Sequence, residues 1–265
     1  MRIPARLAIA LLPALVFAQK QPFTADALLK IQRIGDPQLS PDGRTVAFGV
    51  STPDLTANKN VKSIWIVLTA GGPPRKLMDA AERPRWSPDG KRIFYTGVQN
   101  GMSQVWSINA DGTDPQQVTH LSTEAAGQIV SPDGKYLVVV SDVYPDCGAD
   151  DVCNKSRLDA NKNRATDARI IKSLLYRHWN VWQGDRVTHL LSIALEDGKT
   201  VDLSPGNRVT PPFSLGGPDD YAISPDSAEV AFAQNADPVP ATGTNNEIYV
   251  EPITGGEAVK VSTSP

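Results

Sequence analysis

Tyr176, Arg177, His178, Trp179 and Trp182 crowd aromatic faces, a fixed guanidinium and an imidazole into one short stretch. Such a group can pack on the side chains of a bound peptide while Arg177 meets a carboxylate or a carbonyl. The same aromatics could instead bury the segment against the domain that carries it, because aromatic rings are chiefly core-forming. Upstream, Asp146, Asp150 and Asp151 could hold a peptide α-amino group, or could be solvated acids of an exposed loop. Cys147 and Cys153 are the two cysteines of the chain. In an exported protein they read as a disulfide closing a small loop, with two free thiols or half a metal site as the alternatives. Their gap is longer than usual zinc-ligand spacing, and no neighbouring His or Cys completes a tetrahedral set.

Other chemistry finds less support. Asp159, Asn161, Asn163 and Asp167 imitate the start of a calcium loop. However, Arg164 stands where the sharp turn needs glycine, and Ile170 where a bidentate glutamate belongs. No metal is assigned. No glycine-rich phosphate loop precedes a helix, so no cofactor is expected. The histidines are His120, His178 and His189, and no Gly-x-Ser-x-Gly accompanies them. No catalytic residue is therefore assigned within this chain.

The elements that must position these residues are announced by a recurring tetrapeptide. Ser40-Pro41-Asp42-Gly43, Ser87-Pro88-Asp89-Gly90 and Ser131-Pro132-Asp133-Gly134 are followed by the near-copy Ser224-Pro225-Asp226-Ser227. Proline sets the second turn position, aspartate bonds forward to the backbone, and glycine accepts positive φ. Short apolar segments flank each turn, a third follows, and a second turn such as Ala110-Asp111-Gly112 leads to a fourth. Four strands per ~45 residues is the size of a propeller blade. The expected fold is all-β, with four four-stranded blades at about 37–79, 83–120, 127–204 and 219–262, an incomplete ring. The double spacing before Ser224 is read as an insertion in the third blade, over about 142–187, which contains both the cysteines and the aromatic stretch. Before the first blade, residues 19–36 form an extension in which Thr24 is expected to cap a helix running to Ile34. Leu28 and Ile31 would share its packed face.

Residues 1–18 differ from the rest. Arg2 and Arg6 precede an apolar run broken by Pro13, and Val16 and Ala18 suit a signal peptidase, so cleavage after Ala18 is expected. The run is too short to cross ~30 Å of hydrocarbon as a helix. The remainder is expected to be exported and soluble, periplasmic or extracellular, without membrane association after cleavage. A net charge of −3 offers no basic footprint for nucleic acid.

The Ser-Pro-Asp-Gly blades resemble the WD40-like repeats of the Tol-associated propeller and of the prolyl oligopeptidase family. Phe23-Thr24-Ala25-Asp26-Ala27-Leu28-Leu29, Val143-Tyr144-Pro145-Asp146-Cys147 and Leu174-Leu175-Tyr176-Arg177-His178-Trp179 are similar to exported members of the second family. They point to its acylaminoacyl-peptidase and dipeptidyl-peptidase branch. The resemblance implies a propeller of about seven or eight blades joined to an α/β-hydrolase domain with a Ser-Asp-His triad. This chain holds the propeller portion and lacks that domain's signature, so peptidase chemistry is implied for a longer parent. The expected function is to gate the access of short peptides to the hydrolase. The alternative is a non-catalytic, Tol-associated type of propeller that binds protein partners.

Overall fold

The four turns build four sheets in chain order. The computed structural model describes residues 22–166, 168–171, 174, 176–182, 184–212, 220–237 and 239–262. The expected signal peptide and Asp167 lie outside these residues. In the first sheet, β1 (Arg33–Leu39), β2 (Thr45–Asp54), β3 (Lys59–Leu68) and β4 (Arg75–Asp79) pair in sequence order, all antiparallel. The second follows with β5 (Ala81–Trp86), β6 (Arg92–Gln99), β7 (Met102–Asn109) and β8 (Gln116–Gln117). In the third, β9 (Ala126–Val130) and β10 (Tyr136–Val143) are separated in sequence from β13 (Val187–Ala194) and β14 (Thr200–Asp202). The fourth is β15 (Tyr221–Ile223), β16 (Glu229–Asn235), β17 (Asn246–Pro252) and β18 (Val259–Lys260). These are four propeller blades, and the third carries the insertion between β10 and β13.

Each Ser-Pro-Asp-Gly turn is closed by one repeated network. In the first, Ser40 Oγ donates to Asp42 Oδ1 at 2.6 Å and accepts from Thr45 N at 2.9 Å, while Arg44 N donates to Asp42 Oδ1 at 3.1 Å. The other blades repeat it, with Ser87 to Asp89 at 2.7 Å, Ser131 to Asp133 at 2.6 Å and Ser224 to Asp226 at 2.6 Å. The serine hydroxyl, and after it the backbone amide two residues on, hold all four carboxyls below the usual carboxylate range. That contribution to stability is present while they are ionised and is lost as pH falls through their folded pKa values.

Consecutive turns also touch. The Gly90 turn lies on the Pro41 ring, where a Cβ would stand 3.6 Å from Cδ, and the Gly134 turn lies on Pro88 at 3.8 Å. In the fourth blade Ser227 replaces glycine at a φ of 64°. A side chain there is strained, but its Oγ accepts a hydrogen bond from Asp133 N in the preceding turn at 3.0 Å. The departure from the motif thus supplies a link between blades.

Apolar faces join the sheets pairwise. Ala47 and Ile64 meet Ile93 and Ile108, then Phe94 and Val105 meet Leu137 and Leu191, and Val138 and Leu190 meet Val230 and Phe232. Near the channel, each first strand reaches back to a bulge in the one before it. Arg85 Nη1 bonds both carboxylate oxygens of Asp36, Gln128 Nε2 donates to Arg83 O at 2.6 Å, and Tyr221 Oη donates to Gly127 O. Asp36, Arg83 and Gly127 all have positive φ and stand four residues before their blade's serine. On the outer flanks of the series, Ile34, Leu39 and Leu68 of the first blade and Ile248, Val259 and Val261 of the fourth are exposed.

The N-terminal helix departs from expectation. It covers only Ala25–Leu29, capped by Thr24 as expected, and buries no residue. Leu28 and Ile31 are exposed. Residues from Arg33 onward instead pair with β2, and Gly35 faces Gly49 within the sheet. Long-range strand pairing here outweighs local helix propensity.

The seam between the third and fourth blades buries Glu251, 2% exposed, where it accepts a hydrogen bond from Gly256 N at 3.0 Å. Burial, with the nearby Asp202 carboxylate adding to it, pushes its pKa up from 4.5 to about 7. The folded chain therefore holds a proton that the unfolded chain releases, and stability declines as pH rises across that interval. Glu251→Gln is expected to flatten the decline, on the order of 3 kcal/mol between about pH 4.5 and 7 in denaturant titrations. An unchanged pH profile would show that the seam does not hold the proton. For the fourth turn, Ser227→Ala keeps the strain and loses the Asp133 link, whereas Ser227→Gly loses the link but relieves the strain. The glycine variant is expected to be the more stable of the two by about 1 kcal/mol in thermal unfolding.

Candidate functional site

Antiparallel alternation sends the Ser-Pro-Asp-Gly turns to one end of the propeller and the β2–β3, β6–β7, β10–β13 and β16–β17 connections to the other. The insertion therefore emerges at the end opposite the motif. Its root is built on the disulfide between Cys147 and Cys153, whose Cα atoms are 5.5 Å apart. A helix over Asp151–Lys162 starts there, with the Asp150 side chain accepting from Cys153 N at 3.0 Å as its N-cap. Asn154, 1% exposed, ties the loop together: its Oδ1 accepts from Tyr144 N at 2.9 Å, and its Nδ2 donates to Gly148 O at 2.9 Å and Asp150 O at 3.0 Å.

This root occupies all three acids considered for peptide amine binding. Asp146 pairs with Arg157, Asp150 caps the helix, and Asp151 accepts from Ser122 N at 2.7 Å and Ser122 Oγ at 2.8 Å. They are joints of the insertion, and Asp146 and Asp150 remain exposed to solvent. The imitation calcium loop dissolves similarly, since Asp159 pairs with Lys155 at 2.7 Å and Asn163 is the helix C-cap. Among the described residues, no group of three or more His, Cys, Asp or Glu could hold a metal.

His189 is wholly buried, with Nδ1 2.8 Å from Asp202 Oδ2 and Nε2 donating to Gly206 O at 2.8 Å. Gly148 presses on the same carboxylate, since a Cβ there would stand 2.8 Å from Asp202 Oδ2. The pair ties β14, the outer strand of the third blade, to β13, and Gly148 of the insertion root lies against it. His120 is exposed beyond β8.

The aromatic stretch forms a hairpin, β11 (Arg177–His178) against β12 (Val181–Trp182), turning at Trp179 with a φ of 47°. Tyr176 and Trp182 face each other with ring centroids 6.0 Å apart, and the Arg169 guanidinium lies 5.1 Å from the Trp182 ring centroid. Tyr176, Trp179 and Trp182 are exposed, Trp179 at 86%. The His178 side chain lies outside the described residues. The hairpin's described aromatics therefore present themselves outward rather than packing into the blade.

A second feature at the same end escaped the sequence reading. The first strands of three blades enclose a recess of about 630 Å³ at the channel mouth. Arg33, Asp36, Lys62, Glu82 and Arg83 line it together with Gly35 and Gly127. Lys62 and Glu82 form an ion pair across the first two blades, and Arg85 ties up Asp36. The available signal was positional: residues four and five before each motif serine occupy the bulge that shapes the mouth.

Comparison with known proteins now identifies the repeat. Residues 30–158 match the family described as TolB beta propeller domain. That match covers the first two blades and the opening strands of the third. It is 33% identical over 259 residues to dipeptidyl-peptidase 5 of Porphyromonas endodontalis, a match covering 92% of this chain and 36% of that protein. Dipeptidyl-peptidase 5 of Porphyromonas gingivalis is 28% identical, with 90% and 35% covered. The chain thus spans about a third of the length of these relatives. The solved acylaminoacyl peptidase of Pyrococcus horikoshii superposes with a TM-score of 0.62 at 16% identity, covering 89% of this chain and 33% of that one. The similarity to dipeptidyl and acylaminoacyl peptidases therefore lies in the propeller.

Asn154 gives this site its stability test. Asn154→Ala removes three buried hydrogen bonds and is expected to cost about 2–3 kcal/mol by chemical denaturation. Cleavage within the insertion by limited proteolysis should accelerate in parallel. Unchanged stability and proteolysis would show that the root is held elsewhere.

Proposed function

We propose that this chain is the propeller portion of an exported serine peptidase of the prolyl oligopeptidase family, admitting short peptides to a hydrolase domain. The observation that carries this reading is the coincidence, at one end of a dipeptidyl-peptidase-like propeller, of a small channel recess and an insertion with outward aromatics. A recess of this volume accommodates a few residues of extended chain but not a folded protein. Tyr176, Arg177, His178, Trp179 and Trp182 stand as the insertion's contribution to peptide contact, with aromatic faces for side chains and Arg177 for a carbonyl or carboxylate. The disulfide supports export, because such bonds persist in oxidising compartments. No described helix is long and apolar enough to cross a membrane.

The match to the TolB propeller family favours a second reading, a binding module without its own chemistry. Sequencing the genomic locus beyond codon 265 separates the two. The peptidase reading expects an in-frame continuation containing Gly-x-Ser-x-Gly at a strand-to-helix turn. A stop codon at that point would contradict it and leave the binding module.

A further inference from the structure

We propose that the recess at the channel mouth binds the carboxylate end of short peptides, with Arg33 and Lys62 as its cationic anchors. The inference deepens the peptide-admitting function and rests on it. The space is made by small residues: Gly35 and Gly49 stand side by side on β1 and β2, and Ala81 and Ala126 begin the matching edges of the next two blades. A Cβ added at Gly35 would meet nothing within 4 Å, so the wall there opens onto free volume.

The charges around that volume are unevenly matched. Arg85 neutralises Asp36 through contacts of 2.7 and 2.9 Å, so this acid is not available to a ligand. Lys62 balances Glu82 in a pair whose members are about half exposed, and a ligand can therefore reach both. Arg33 is exposed and makes no ion pair among the described residues. A carboxylate entering the recess meets Arg33 and Lys62, while Glu82 is left to accept from a peptide N–H or amine. The same Glu82 disfavours compact polyanions such as phosphate, which would lie against a like charge. The glycines and alanines that line the recess leave room for small apolar side chains. A ligand with one carboxylate, one or more N–H groups and modest apolar bulk fits this pattern, and a short peptide has that composition.

Calorimetric titration of the 265-residue chain with Ala-Ala-Ala and with its C-terminal amide tests the assignment. The free acid is expected to bind, and the amide to bind about tenfold more weakly. Arg33→Gln and Lys62→Gln should each weaken the free acid to a similar degree, with circular dichroism unchanged because both side chains are exposed. Lys199→Gln, an exposed position at the motif end, should leave binding as it is. Equal affinity for acid and amide, insensitivity to Arg33→Gln, absence of tripeptide binding, or an equal loss in Lys199→Gln would overturn the site. Inorganic phosphate binding more tightly than the tripeptide would also overturn it. The locus beyond the last codon answers separately for the peptidase reading, whichever way the titration falls.

Discussion

The hydrogen bond from the motif serine to the motif aspartate is the interaction on which this propeller depends. It turns a four-residue sequence into a rigid corner, because one hydroxyl both donates to the carboxylate and accepts from the amide that opens the next strand. That corner sets the register of the first two strands in every blade. It also places proline and glycine so that one turn rests on the next. The lateral chain runs from Pro41 to Gly90 and from Pro88 to Gly134, then from Asp133 to Ser227 through a hydrogen bond. With the turns stacked at one end, the first strands lie side by side and their bulges converge around the channel at the other.

This division of labour explains why the two ends differ in kind. At the motif end the polar groups are consumed by the turns themselves, and the four depressed carboxyls are a consequence of that bonding rather than a sign of chemistry. At the opposite end the connections are free to vary, as loops on a rigid scaffold are. One of them has grown into the insertion, which the disulfide, Asn154 and the acids at its root hold to the third blade. The hairpin beyond that root presents its exposed aromatics outward.

Much of the architecture was legible because a repeat states its own rules. Identical turn chemistry before and after an interruption meant that the third blade had to resume after the insertion, and β10 pairs with β13 across it over eight residues. The extent of the first helix was not legible, because Thr24 announces a cap while the competing partner of Arg33–Leu39 lies on a strand farther along. The roles of Asp146, Asp150 and Asp151 were hidden for a related reason: each is defined by a partner that only the fold brings near. The recess was missed because its makers are ordinary residues, glycines, alanines and paired charges, whose meaning lies in their common offset from the motif serine. The outward turn of the aromatic hairpin likewise has no local signal, since exposed and buried tryptophans read alike in sequence.

The turns form a connected series rather than four independent corners. Hydrogen exchange at the amides of Thr45, Arg92, Tyr136 and Glu229, each bonded to its motif serine hydroxyl, reads that connection directly. In Ser131→Ala, exchange is expected to speed up at Tyr136 and, together with it, at Arg92 and Glu229 in the flanking blades. Acceleration confined to Tyr136, with Arg92 and Glu229 as protected as before, would contradict that connection.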